Sequence, residues 1–319
     1  MSSGVLDQRF YYEPLLAAHP KQGSWPPFSF LGKKMLSPIW VSSMTGGTEK
    51  AKKINHNLAR VCKEFGFGMG LGSCRPLLES NDRFADFDIR DTIGEDQLLF
   101  ANVGIAQLEE LLAQNALDRL TQMIDQLRAD GLIIHVNPLQ EWLQPEGDRF
   151  QQVPIVTIKR IITALPELSI IVKEVGQGMG RESLKALLQL PIAAIDFAAY
   201  GGTNFAKLEL LRSTQQQQEA YTLLANIGHT ADDMTKMTKQ LIEALGDKVR
   251  CKQFIISGGI QNFLDGYYLT QRLGHTSIYG QASAFLRYAQ GEYEDLHAFA
   301  AAQVRGLELA RAYLSIREG

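Results

Sequence analysis

The sequence predicts an α/β fold in which eight parallel strands close into a (β/α)8 barrel, and three observations carry that prediction. First, short runs rich in β-branched and aromatic residues recur along the chain: PIWVSSM at 38–44, FGFGMGLG at 65–72, QLLFANVG at 97–104, GLIIHVNP at 131–138, SIIVKEVG at 169–176, AAIDFAAY at 193–200, QFIISGGI at 253–260 and TSIYGQAS at 276–283. Second, amphipathic segments such as EKAKKINHNLARVCKEFG, LEELLAQNALDRLTQMIDQLRADG and RESLKALLQL lie between them, so strand and helix alternate. Third, the runs are nearly continuous in apolar residues, as expected of strands buried on both faces of a parallel sheet. Eight such units in 319 residues favour closure into a barrel, with an open doubly wound sheet as the alternative.

Residues 1–37, containing HPKQGSWPPFSFLGKK, read as an irregular lead-in that covers the bottom of the barrel, and 38–319 as one barrel domain. The longest connection, between the sixth and seventh strands, contains STQQQQEAYTLLANIGHTADD. Its glutamine run reads as a solvated loop or helix end, and part of the connection is placed to close over a ligand.

Composition removes several function classes. A formal charge of −3 and a pI near 6.1, with Lys and Arg scattered, give no footprint for nucleic acid or an anionic membrane. Cys62, Cys74 and Cys251 are far apart and lack paired metal-ligand spacing, which argues against a disulfide framework or a zinc site. The opening MSSGVLDQRFYYEPLLAAHP has no basic region followed by an apolar core, and no run reaches the roughly 18 apolar residues of a membrane span. The expectation is a soluble, cytoplasmic protein.

In such a barrel the chemistry sits where the strands end, so each exit is one wall of a single pocket. The exits read Ser43-Met44-Thr45-Gly46-Gly47, Gly72-Ser73-Cys74-Arg75, Asn102, His135 to Glu141, Lys173-Glu174, Gly201-Gly202-Thr203-Asn204, Ser257-Gly258-Gly259 and Gly280-Gln281-Ala282-Ser283. A lone Gly-Gly is usually a turn and a lone Ser or Asn a helix cap, but eight polar exits together point to a ligand. Glycines at 258, 259 and 280 let backbone approach phosphate oxygens, and no Walker or GxGxxG pattern is present, so the phosphate belongs to a flavin mononucleotide or a sugar phosphate. Lys173, inside an apolar run, is read either as a buried ion pair or as a cation aimed at the pyrimidine edge of a flavin, with Asn102 and Ser73 as further donors. His135 and Asn137, two apart, face the barrel interior if Ile134 and Val136 face the helices. Gln140 and Glu141 then stand over the mouth; Glu141 suits Mg²⁺ and Arg75 suits a phosphate.

SSMTGG, MGLGSCR, HVNPLQE, VKEVGQGMG, GGTNFAKLE and ISGGI, taken in order, resemble the type II isopentenyl-diphosphate isomerases, a family of FMN-dependent barrels. The resemblance runs from about Phe10 to the last helix. It implies a 1,3-proton shift between isopentenyl and dimethylallyl diphosphate, with reduced FMN as acid and base, NADPH as reductant, Mg²⁺ on the diphosphate, and a homo-oligomer, tetramer or octamer. By matching position, Ser43, Met44, Thr45, Ser73, Asn102, Lys173, Thr203, Gly258, Gly259, Ala282 and Ser283 are expected to contact FMN. Ser73, Cys74, Arg75, His135, Asn137 and Gln140 are expected to line the substrate, with Gln140 and His135 catalytic and Glu141 holding Mg²⁺. Three departures accompany the match: MSSGVLDQRF has no counterpart of the family's Arg-Lys-x-x-His segment, Ala198 to Tyr200 differ from the usual sixth exit, and GHTSIYGQAS fits with a one-residue shift. The alternatives are an FMN-dependent 2-hydroxy-acid oxidoreductase, whose His base would fall where Tyr200 stands, and a truncated, catalytically impaired flavin-binding paralogue.

Overall fold

The computed structural model describes residues 6–43 and 50–317. Eight parallel strands close into a barrel: β1 (Ile39–Val41), β2 (Gly68–Gly70), β3 (Leu99–Gly104), β4 (Gly131–His135), β5 (Ile170–Lys173), β6 (Ala194–Asp196), β7 (Phe254–Ser257) and β8 (Ser277–Gln281), with β8 pairing back onto β1. Each lies inside one of the eight apolar runs, so the closed barrel predicted from the sequence is the fold, and the open sheet is not.

The period-two alternation of the strands explains both the core and the site. Trp40, Phe100, Ile133, Ile171, Ala194, Ile255 and Ile278 point inward and form one apolar layer that fills the barrel. Each large side chain fully buried here contributes about 1.5–3 kcal/mol. The intervening residues, among them Val41, Ile134, Val172, Ile195 and Ile256, face the helices in a second, larger core. Two residues further along each strand, the inward position falls on Ser42, Gly70, Asn102, His135, Lys173, Asp196, Ser257 and Gly280. An apolar plug is thus roofed by a polar ring, and the chemistry is confined to one end of the barrel.

The other end is closed by the lead-in, which is more regular than expected. Phe28–Phe30 and Lys33–Met35 form an antiparallel hairpin, and Phe30 and Met35 join the interior apolar layer from below. Phe10–Tyr12 pairs with Leu314–Ile316, tying the two ends of the described chain together. Arg90, wholly buried, donates to Arg128 O, Gly94 O and Gln97 O and pairs with Asp130 at 3.0 Å, pinning the loops that enter β3 and β4.

Helices Phe205–Leu210 and Gln215–Ala225 follow β6 and, with Pro138–Leu143, share a small separate core of Leu143, Ala206, Leu210 and Ala225. The glutamine run is the first turn of the second of these helices, started by a reciprocal cap between Thr214 and Gln217, and its side chains are solvated as the composition suggested. Among the described residues, no helix is long and apolar enough to cross a membrane.

Candidate active site

A cavity of about 610 Å³, within the usual range for small-ligand sites, opens at the C-terminal end of the barrel over β5 to β8 and β1. Ser43, Lys173, Thr203, Gly258, Gly259, Ala282 and Ser283, all expected from the sequence to meet one ligand, line it together. Met44 and Thr45 lie outside the described residues. Ser42, which the sequence did not single out, and Gln281, read there as part of the eighth exit without a ligand role, also line the cavity. Among the described residues, the hydroxyls of Ser42 and Ser43 and the side-chain oxygen of Gln281 are buried without a hydrogen-bond partner. Such groups are costly unless something completes them, so three of them in one cavity mark where a polar ligand fits.

Lys173 stands on the cavity wall, with its Nζ donating to Glu174 O at 2.7 Å. Burial pushes its pKa down, and the carboxylates of Asp196 and Glu174 oppose that shift. Asp196, opposite Lys173 in the strand register, is instead pushed up by burial and held against that by Lys173, by the hydroxyl of Ser257 and by the Ala198 N–H. Glu174 folds the loop after β5 around itself: one carboxylate oxygen accepts N–H groups from Gly176, Gln177 and Gly178 at 2.6, 2.6 and 3.0 Å. The cavity floor therefore holds a desolvated amine whose charge a bound anion would favour.

The neighbouring rung is His135, which pairs with Lys173 in register. Its Nδ1 lies 2.8 Å from Asn102 Oδ1, while Asn102 Nδ2 donates to Leu71 O at 3.1 Å. An amide oxygen can only accept, so Nδ1 carries the proton. Burial, then the nearby charge of Lys173, pushes the His135 pKa down to about 3, so the ring is neutral at working pH and Nε2 is left as an acceptor. The sign of the linkage follows. Between the unfolded value near 6.5 and about 3, the unfolded chain binds the proton that the folded chain refuses, so stability is lost as pH falls through that window. We predict that acid unfolding of a His135→Gln variant lacks this component. The difference should reach at most about 2 kcal/mol at pH 5, measured by denaturant titration at pH 7 and pH 5.

The residues expected to line the substrate form a second group, over β2 to β4. Arg75 Nη1 contacts Asp148 Oδ2 at 3.0 Å, and Gln107 Nε2 donates to the same oxygen at 2.7 Å. The Asp148 N–H donates to Glu141 Oε2 at 2.8 Å. Asn137 Nδ2 donates to Glu141 Oε1 at 2.9 Å and to Gln140 Oε1 at 3.1 Å, leaving its own Oδ1 buried and without a partner among the described residues. Gln140 Nε2 reaches Glu209 Oε1 at 3.4 Å.

One expectation needs correcting, and three of the expected residues stand apart from the cavity lining. β4 ends at His135, so Asn137 does not sit on the strand; it precedes Pro138 at the start of the helix Pro138–Leu143, because proline suits a first helical position. Cys74 does not line the mouth. It is wholly buried in the outer core with its Sγ toward Gly72 O at 3.4 Å, and burial pushes the thiol up to about 12. Asn102 is buried at the inward end of β3, where its amide donates to Leu71 O and its oxygen orients His135. Ser73 is exposed beside Arg75, away from the cavity wall. Among the described residues no group of three or more His, Cys, Asp or Glu is arranged to hold a metal, so a cation at Glu141 would need ligands from its substrate.

A closed parallel barrel with a polar ring, a buried lysine and unpartnered polar groups around a glycine-lined cavity defines the molecule as a (β/α)8-barrel enzyme. No protein-family model matches the chain. Solved structures of mandelate oxidase share the fold: a variant with a monooxide FMN adduct covers 98% of this chain and 88% of its own at a TM-score of 0.59 and 12% identity. Mandelate oxidase with 3,3-difluoro-2-hydroxy-3-phenylpropionic acid covers 98% and 87% at a TM-score of 0.57 and 12% identity. The isopentenyl-diphosphate delta-isomerase of Rickettsia africae is 36% identical over 262 residues, 82% of this chain and 72% of that protein, and that of Rickettsia felis is 37% identical over the same span. The chain belongs to the isopentenyl-diphosphate delta-isomerase family.

Proposed function

We propose that the chain is a type II isopentenyl-diphosphate isomerase, dependent on FMN, with NADPH as reductant and Mg²⁺ on the substrate diphosphate, working in the cytoplasm as a homo-oligomer. The observation that carries this reading is the cavity itself, where Lys173 and the unpartnered oxygens of Ser42, Ser43 and Gln281 meet glycine-lined backbone. That set of polar groups fits FMN. Thr203, Gly258, Gly259, Ala282 and Ser283 would hold its phosphate and ribityl chain, and Lys173 would face the edge of the ring that takes up negative charge. The reduced cofactor would supply the proton donor and acceptor for the 1,3-shift.

The chain's own side chains account for the rest. Arg75 has guanidinium N–H groups beyond the one given to Asp148, and these can fork onto a phosphate. Glu141 would hold Mg²⁺ against the diphosphate. His135, neutral with Nε2 bare, can accept a hydrogen bond but cannot donate one from that atom, which suits orientation of the substrate without adding charge beside the reacting carbons. Gln140, held between Asn137 and Glu209, is the candidate for contact with those carbons.

The test is an anaerobic assay of the purified protein with reduced FMN, Mg²⁺ and isopentenyl diphosphate. Dimethylallyl diphosphate should form without net flavin oxidation. Absence of product, or stoichiometric reduction of oxidised flavin by a 2-hydroxy acid, would overturn the reading. Within it, Glu141→Gln should raise the Mg²⁺ concentration needed for half-maximal rate about tenfold or more while the spectrum of bound flavin stays unchanged. Release of flavin by that change would mean that the cavity and the Glu141 group are not separate sites.

A further inference from the structure

Resting on the reading above, we propose that Asp148 is a positioning residue that presets Arg75 and Glu141 for one shared anion. Three walls of the mouth converge on it. Its Oδ2 takes Arg75 Nη1 from the loop after β2 at 3.0 Å and Gln107 Nε2 from the helix after β3 at 2.7 Å. Its backbone N–H donates to Glu141 Oε2 from the helix after β4 at 2.8 Å. The other oxygen of Glu141 is fixed by Asn137, so neither the arginine nor the carboxylate is free to wander.

The arrangement makes little sense as a stabilising device. Arg75 and Asp148 are 49% and 35% exposed, and a pair that open is worth about 1 kcal/mol or less. It makes sense as geometry. An arginine holds a long, rotamer-rich side chain, and ordering it on binding costs about 0.5–1.5 kcal/mol that a pre-formed contact removes beforehand. Gripping one Nη leaves the remaining N–H groups of the fork aimed away from Asp148, as a bidentate phosphate contact requires. Gln107 neutralises no charge but fixes the carboxylate plane. Asp148 lies seven residues beyond Glu141 on a connection that closes back on the helix end, so the arginine is registered against Glu141 rather than merely against the barrel.

The proposal is tested by a double-mutant cycle on the intact protein, with titration of inorganic diphosphate in the presence of Mg²⁺ and steady-state kinetics with isopentenyl diphosphate. Asp148→Ala should weaken diphosphate binding and raise KM about tenfold with kcat within twofold, and Asp148→Asn, which keeps an acceptor for Arg75, should recover most of the loss. In an Arg75→Ala background, Asp148→Ala should have no further effect. Additive losses, or a loss in kcat rather than KM, would overturn the assignment. Thermal melts within a few degrees of the parent exclude a folding defect, and Gln107→Ala gives an independent arm: it should weaken diphosphate binding in the same direction by a smaller factor, and no change would also count against the proposal. Failure of the unaltered protein to bind diphosphate at all would instead remove the functional reading on which the proposal rests.

Discussion

Replacing Lys173 by Met is expected to lower turnover by on the order of a hundredfold or more and to weaken flavin binding, because it removes the buried cation that β5 contributes to the cavity wall while keeping the side-chain volume. The variant also changes the titration of its neighbour. With Lys173 gone, Asp196 keeps only the Ser257 hydroxyl and the Ala198 N–H against its burial, and its pKa rises further. For a carboxyl whose folded value lies above the unfolded one, the folded state holds the proton longer. Stability then declines as pH rises from the unfolded value near 4 through the folded one. Lys173→Met should therefore show a loss of stability with rising pH that extends further than in the parent. Adding Asp196→Asn should remove that loss without restoring flavin affinity or turnover. Denaturant titrations from pH 4 to 8, beside flavin retention on gel filtration, separate the two effects. A Lys173→Met protein that retains flavin and full activity would show that the cavity charge has no role.

How much of this was legible in the sequence depends on the range of the interaction. The eight strands were visible because burial on both faces leaves an unbroken apolar run, a local signal. The polar ring was partly visible for the same reason: His135 and Lys173 interrupt such runs at a parity that can be counted from Ile133 and Ile171. Strand ends were overrun. β1 was expected over 38–44 and stops at Val41, the last residue paired with β8, and composition does not register where ladder pairing ends. Cys74 and Asn137 were misplaced because a turn and a helix start rotate side chains away from the strand's alternation. Ser257 with Asp196 is separated by 61 residues and Asp148 with Arg75 by 73, and nothing in either local stretch names the other. Asp148 follows a Pro-Glu-Gly stretch that reads as an ordinary turn. Only the folded chain shows it reaching three walls of the mouth.

Gly258→Ala is the second change expected to be severe, and its cause is backbone rather than charge. Gly258 directly follows β7 with φ of +87°, and a Cβ there would stand 2.1 Å from Ala199 O and 2.2 Å from Ala199 N. Those atoms belong to the Ala199–Ser257 strand contact, where Ala199 N–H donates to Ser257 O at 2.8 Å, so they cannot swing aside as a side chain would. The left-handed conformation alone costs about 1–2 kcal/mol for a residue with a Cβ. Gly274 provides the control, with φ of +67° and no atom within 4 Å of its would-be Cβ, so Gly274→Ala should lose about 1–2 kcal/mol and nothing else. Gly258→Ala adds the collision, for a total of about 3–5 kcal/mol or a displaced β6–β7 exit. Because Ala198, Ala199, Gly201 and Gly259 share that exit and line the cavity, any relief by movement deforms the ligand site. Flavin retention should fall in Gly258→Ala even at temperatures where circular dichroism reports a folded barrel, whereas Gly274→Ala should lower the melting temperature by a few degrees and leave flavin bound. Equal behaviour of the two variants would mean that close approach of the two strand exits does not shape the cavity.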